Sequence, residues 1–104
     1  MRLAESLPEL AKEIASLFVM AKEPTLAAQV NDLQIVDRCR CKDDFCSSFY
    51  TAPKPSGPYG SDHKTVELLP RQGWIILDVV EDRIAHIEVL YRDDVKSQLD
   101  ALFH

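Results

Sequence analysis

Apolar residues recur at helical spacing in the first third of the chain. Ser6 and Glu9 have the spacing of a capping box, and Pro8 suits a first helical turn. A periodic apolar series over about residues 7–22 predicts an amphipathic helix: Leu7, Leu10, Ala11, Ile14, Leu17, Phe18 and Ala21. Pro24 interrupts this series, and a shorter one follows at Leu26, Ala27, Val30 and Leu33. Residues 1–33 are therefore predicted to form a bent or two-part helical region.

From residue 34 onward, short runs rich in β-branched and aromatic residues replace the helical period. Five such runs predict strands at about 34–41, 45–52, 64–69, 73–80 and 83–91. The last segment, 92–104, combines an Asp at the cap position with an apolar stripe. The pattern predicts an α+β fold with an N-terminal helical region, an antiparallel β-meander of four to five strands and a C-terminal helix, with the helices on one face of the sheet.

Length and composition fit one globular domain. The chain has 104 residues, of which 46% are hydrophobic and 28% charged, so we expect a single domain over 1–104, divided into 1–33, 34–91 and 92–104. The net charge of −5 argues against nucleic-acid binding, because such modules carry a positive surface. The N-terminal residues do not have the pattern of a secretory signal, and no apolar run has membrane-spanning length. We expect a cytoplasmic protein that binds neither nucleic acid nor membrane.

All three cysteines lie within eight positions, as Cys39, Cys41 and Cys46. If the strands at 34–41 and 45–52 form a hairpin with a two- or four-residue connection, the three thiols share one surface of the sheet. A three-residue connection would send Cys46 to the opposite face. The register at 42–45 therefore decides whether a cluster exists.

Three interpretations of these cysteines remain open. A zinc site would take its fourth ligand from a histidine, with His63 the foremost candidate and His86 and His104 as alternatives. A reactive thiolate would be favoured by the basic residues at 38, 40 and 42 and opposed by the acidic residues at 43 and 44. Buried thiols that act as small apolar side chains are the commonest case in reduced proteins.

The strongest predicted strand pair flanks Glu81-Asp82-Arg83. A three-residue connection places Asp78 opposite His86, with Glu88 nearby, whereas a two-residue turn pairs Asp78 with Ala85. The first register groups side chains suited to general acid–base chemistry, but the same side chains commonly make the outer face of a sheet polar. The sequence leaves both registers open.

Two further features indicate a binding surface. The proline-rich stretch from Ala52 to His63 is long for a loop in a compact domain, and its Tyr59 suits either an interface anchor or a tyrosine packed on the sheet. Trp74 would belong to the second, uncovered face of the sheet. We therefore expect an interaction module that binds a protein partner or forms a homodimer. The alternative is a zinc-binding or thiol-dependent protein centred on Cys39, Cys41 and Cys46.

The segment from Val36 to Pro53 contains the pattern RCxCxDDFCxxFYTAP, which begins at Arg38, and the segment from Ile87 to Tyr91 follows later. This pattern resembles a group of small bacterial proteins of unknown function. The resemblance covers most of the chain from about Leu26 onward. It implies a bacterial cytoplasmic protein and carries over no activity and no catalytic residues.

Overall fold

The computed structural model describes residues 1–103, and its N-terminal third is helical. Helix α1 spans Leu3–Ser6, α2 spans Pro8–Met20 and α3 spans Pro24–Gln29, which continues into a 3₁₀ turn over Val30–Asp32. Proline stands at the first position of both α2 and α3, where its missing N–H costs nothing. The predicted division at Pro24 is confirmed, but Ser6 closes α1 and does not cap α2.

Five antiparallel strands and a C-terminal helix complete the α+β fold. The strands are β1 (Asp37–Arg38), β2 (Phe49–Tyr50), β3 (His63–Leu68), β4 (Trp74–Val80) and β5 (Arg83–Leu90), and α4 spans Asp93–Leu102. The predicted fold class is confirmed. Strands β3, β4 and β5 follow one another as a meander, but β2 pairs with β5, so the order across the sheet is β1-β2-β5-β4-β3.

The first two strands are shorter than predicted because most of the cysteine segment lies outside regular pairing. Only Asp37 with Tyr50 and Arg38 with Phe49 form the β1–β2 ladder. Residues 40–45 are exposed and run through a turn near Asp44. The chain returns to the sheet at Cys46, which forms an isolated bridge with Leu90 of β5.

The β4–β5 hairpin combines the two registers that the sequence left open. Its turn is the two-residue Glu81-Asp82, because Val80 pairs with Arg83 and Val79 with Ile84. A β-bulge then inserts Ala85, so that Asp78 pairs with His86. Both turn residues have positive φ, 51° and 62°, as a type I′ hairpin requires.

One face of the sheet and the helices enclose the core. The inner face contributes Phe49, Leu68, Ile75, Leu77, Val79, Ile84, Ile87 and Val89, all of which are buried. Helix α2 packs Ile14 and Phe18 against this face, and α4 adds Val95 and Leu99. Since the core lies on the inner side, the polar and aromatic side chains of the outer face are available for other contacts. Among residues 1–103, no helix has the length and apolar character required to cross a bilayer.

Candidate metal centre

The three cysteines lie at one corner of the outer face. Antiparallel pairing places Cys46, Leu90 and Trp74 in one row across β2, β5 and β4. Cys39 continues β1 beside this row, where its N–H donates to Ser48 O at 2.8 Å. Cys41 follows two residues later in the exposed turn segment. Because Cys39 and Cys46 extend the pairing of the sheet, alternation of side chains places both on the outer face.

The Sγ atoms of Cys39, Cys41 and Cys46 all lie within 4.8 Å of one another. The structure therefore brings the three thiols together, which is the outcome expected from a two- or four-residue connection and not from a three-residue one. Cys46 is buried, Cys39 is half-buried and Cys41 is exposed, so the cluster has a closed floor and an open side. Two thiolates on one tetrahedral zinc, with Zn–S bonds of about 2.3 Å, lie about 3.8 Å apart. Side-chain rotations that move each sulfur by about 1 Å or less would therefore bring the three Sγ atoms to the separation that an ion requires.

Ser48 supports the floor of the cluster. Its Oγ accepts a hydrogen bond from the Val89 N–H at 3.0 Å and lies 3.4 Å from Cys46 Sγ. The protonated Cys46 thiol donates to this oxygen, and the Ser48 hydroxyl proton can donate to the sulfur once Cys46 is a thiolate. No sequence pattern indicates this role of Ser48, since the contact depends on how β5 packs beside the cysteine segment.

The thiols of Cys46 and Cys41 differ in acidity. Burial raises the pKa of Cys46, but hydrogen bonds from the Ser48 side chain and backbone and from the other two thiols outweigh it, so the pKa lies below its ordinary value. The Asp43 backbone N–H lowers the pKa of Cys41, whereas its hydrogen bonds to Cys46 and Cys39 and its loss of hydration raise that pKa to about 11. The cluster thus favours the thiolate at Cys46 over the thiolate at Cys41.

His63 does not join the thiols. Among residues 1–103, the group that could hold a metal consists of the three cysteines. His63 Nε2 instead lies 2.8 Å from Asp78 Oδ1, and His86 Nδ1 lies 3.3 Å from Asp78 Oδ2. Both histidines therefore engage one carboxylate, at a different place on the outer face from the cysteines.

His86 is the more enclosed of these two histidines. Its ring packs against that of Tyr50 with a centroid distance of 4.5 Å, and its Nε2 is buried without a hydrogen-bond partner. Desolvation lowers the pKa of His86, although Asp78 and Glu88 act in the opposite direction. At neutral pH this favours an uncharged ring whose Nδ1–H donates to Asp78.

Tyr59 packs on the sheet, one of the two interpretations that the sequence allowed. Its ring lies 4.6 Å from that of His63, and the side chain is half-buried. Burial is the main cause that raises the pKa of Tyr59, with a smaller effect from the charge of Asp78. The long loop thereby covers the His63 end of the outer face.

An exposed aromatic patch borders the cysteines. It consists of Phe45, Trp74 and Tyr91, with 40%, 57% and 60% of their surface exposed. Phe45 and Tyr91 are stacked at 5.1 Å, and Trp74 meets the edge of Tyr91 at 6.1 Å. The predicted exposure of Trp74 is confirmed, whereas Phe45 and Tyr91 join the patch through a contact that is distant in sequence.

The structure has a cleft of about 580 Å³, which lies away from the predicted acid–base residues. Its lining includes Gln29, Thr51 and Arg83, and it opens between α3 and the β4–β5 turn. Gln29 Nε2 donates to the Asp82 carbonyl and Gln29 Oε1 accepts from the Ile84 N–H at 3.1 Å, which fastens the turn. Asp78, His86 and Glu88 do not line this cleft.

Comparison of the chain with known protein families, with curated proteins and with solved structures found no match. The resemblance to small bacterial proteins thus stays a prediction. The functional argument rests on the geometry of the thiol cluster and its surroundings.

Proposed function

We propose that this protein binds a thiophilic metal ion, with zinc foremost, through Cys39, Cys41 and Cys46. The observation that carries the proposal is the convergence of three Sγ atoms to within 4.8 Å of one another. Thiolate is a ligand that zinc prefers, and three converging sulfurs provide most of a tetrahedral site.

The surroundings of the sulfurs support this function. Cys46 lies on the floor of the cluster, and its pKa lies below the ordinary value, so it loses its proton more easily than an ordinary cysteine. The exposed side of Cys41 gives an ion access from solvent. Metal binding would then displace the protons from Cys39 and Cys41, as ligand thiols must be deprotonated.

The first test is elemental analysis together with thiol titration on protein purified without chelator or metal-affinity resin. We expect about one zinc per chain and thiols that react only after a chelator is added. Absence of zinc, with a Kd for added zinc weaker than about 1 mM, would overturn the proposal.

Variants localise the ion. Cys41→Ser removes an exposed thiol, so the fold is retained while zinc affinity falls at least about 100-fold. Lys42→Ser is the matched control, because it changes the neighbouring exposed residue and leaves all three sulfurs in place. Equal loss of zinc in both variants would show that the ion binds elsewhere.

Protein binding is a second candidate function, favoured by the aromatic patch of Phe45, Trp74 and Tyr91. Exposed aromatic clusters are characteristic of interaction sites. We take a second copy of the chain as the occupant to test, because a two-fold axis over a flat sheet face brings equivalent aromatic side chains together. Sedimentation equilibrium should show a dimer that Trp74→Ala weakens at least about tenfold, and a monomer at all concentrations would exclude this occupant.

A further inference from the structure

We propose that the metal bound by Cys39, Cys41 and Cys46 keeps its fourth coordination position for an imidazole from another molecule. This imidazole belongs to a histidine side chain that has an apolar group next to it. The inference rests on the proposed function and names the ligand class of the same site. Three protein ligands with an exchangeable fourth position distinguish a reactive or bridging zinc site from a closed structural one.

Within residues 1–103, the cysteine cluster has no fourth protein ligand. The part of the chain that the structure describes brings only three ligand atoms together, all of them sulfur. His63 Nε2 is held by Asp78 at 2.8 Å, and His86 faces the same carboxylate through Nδ1 at 3.3 Å. Moving either ring to the cysteines would break its contact with Asp78.

The cysteine cluster is closed on one side and open to solvent on the other. Cys46 is 8% exposed and forms the floor with Ser48 behind it, while Cys41 is exposed. An ion seated among the three sulfurs therefore has its remaining position on the solvent side. A ligand can approach that position without displacing a core residue.

The aromatic patch borders the solvent side of the cysteine cluster, from which a ligand would approach. Phe45 precedes Cys46, and the Tyr91 N–H donates to Phe45 O at 2.8 Å. Trp74 stands in the same row as Cys46, with Leu90 between them. A ligand that reaches the metal therefore passes exposed aromatic rings, and an apolar group attached to it gains contact area.

Charge selects imidazole over a fourth thiolate. Three thiolates and one divalent ion leave the site with one negative charge, and a fourth thiolate would add another in a chain of net charge −5. A neutral imidazole adds none, and three Cys with one His is an established zinc ligand set. The fourth ligand predicted here is therefore a histidine from outside the chain.

Cobalt(II) in place of zinc gives a direct readout, because its visible absorption reports the ligand set. Imidazole titrated into the cobalt-loaded protein should change the spectrum saturably. 4-Phenylimidazole should do so at concentrations about five- to tenfold lower, because its ring packs on the aromatic patch. In the double variant Trp74→Ala, Tyr91→Ser, the two ligands should act at about the same concentration, while the response to imidazole itself is retained.

The controls separate the two proposals. Failure of the protein to bind cobalt or zinc overturns the proposed function, whereas metal binding with an unchanged spectrum on adding imidazole overturns only the inference. His104 lies outside the described residues, and an imidazole response confined to His104→Ala would show that the chain supplies its own fourth ligand. Tighter binding of 2-mercaptoethanol than of imidazole would overturn the ligand class.

Discussion

Asp78 in β4 faces His86 in β5, although only Glu81 and Asp82 connect the two strands. The bulge at Ala85 makes this pairing compatible with the short turn. Without the extra residue, Asp78 would lie opposite Ala85 and would lose its contact with His86, while its contact with His63 of β3 does not depend on the bulge. One inserted residue therefore decides which polar side chains meet on the outer face.

Acid should destabilise the protein through His86. Burial lowers the pKa of His86 in the folded state from the ordinary value of 6.5. Between pH 6.5 and the lower pKa of the folded state, the unfolded chain therefore binds more protons than the folded chain. The stability that follows from the neutral ring is complete above that range and is lost as the pH falls through it. We expect urea unfolding to show a larger fall in stability between pH 7.5 and 5.5 for the natural chain than for His86→Phe.

His63→Gln serves as the control for this pH effect. It removes the other histidine from Asp78 but keeps His86 and its buried Nε2. The variant should therefore retain the fall in stability over the same range. If His86→Phe lost as much stability between the two pH values as the natural chain, another group would be responsible for the acid sensitivity.

Replacing Glu81-Asp82 with Asn-Gly should stabilise the hairpin. Both residues have positive φ, which costs energy for most side chains but suits Asn and Gly in a type I′ turn. We expect the free energy of unfolding to rise by about 1 kcal/mol, measured by urea unfolding. The Gln29 contacts involve backbone atoms of Asp82 and Ile84, so the replacement leaves them intact. A lower stability would show that the natural turn is not strained.

Ser48→Ala should weaken both the fold and the metal site. The substitution leaves the buried Val89 N–H without its acceptor, which costs about 1–3 kcal/mol. It also removes the hydroxyl behind Cys46, and loss of such a supporting contact lowers metal affinity about 10- to 100-fold.

Ser47→Ala is the matched control for Ser48→Ala. The Ser47 hydroxyl donates to Val89 O at 3.3 Å, but this carbonyl also accepts from the Ser47 N–H. We expect a cost of about 0.5–1.5 kcal/mol in urea unfolding and an unchanged zinc Kd in calorimetry. Equal zinc affinity in the two variants would remove Ser48 from the supporting shell of the metal.

Gly73→Ala should be strongly destabilising. Gly73 has a φ of 72°, and a Cβ there would collide with the Leu90 carbonyl oxygen and the Arg92 side chain. We expect a loss of at least about 2 kcal/mol, seen as a lower melting temperature. Gly57→Ala is the comparison, because a Cβ at that position has no atom within 4 Å, and its effect should stay within about 0.5 kcal/mol.

Periodicity carried most of the prediction of the fold. The apolar spacing that includes Ile14 and Phe18 indicated the buried face of α2, and the predicted strand that became β4 buries Ile75, Leu77 and Val79 at every second position. These patterns are local, because a helix or strand that buries one face repeats its apolar residues at a fixed interval. Alternation left the convergence of the thiols open, because it depended on the register of the connection at 42–45.

Contacts between segments that are distant in the chain could not be predicted from the sequence. Arg92 donates to Glu13 at 2.8 and 2.9 Å, which joins residues 79 positions apart, and no local pattern indicates that pair. The pairing of β2 with β5 likewise depends on the packing of the whole sheet, and it is this pairing that places Tyr50 against His86. The fourth ligand expected from His63 also failed to appear beside the thiols, because Asp78 holds its ring.

The uneven anchoring of the cysteines implies an order of events in metal exchange. Cys39 and Cys46 stand on backbone joined to the neighbouring strands, whereas Cys41 stands on an exposed arm outside regular pairing. Such segments open locally at little free-energy cost while the core stays folded. An incoming ion would then contact the two fixed sulfurs first, and closure of the arm would complete its capture. On release, the arm would detach first, so the exchange rate would follow its opening and not the unfolding of the domain.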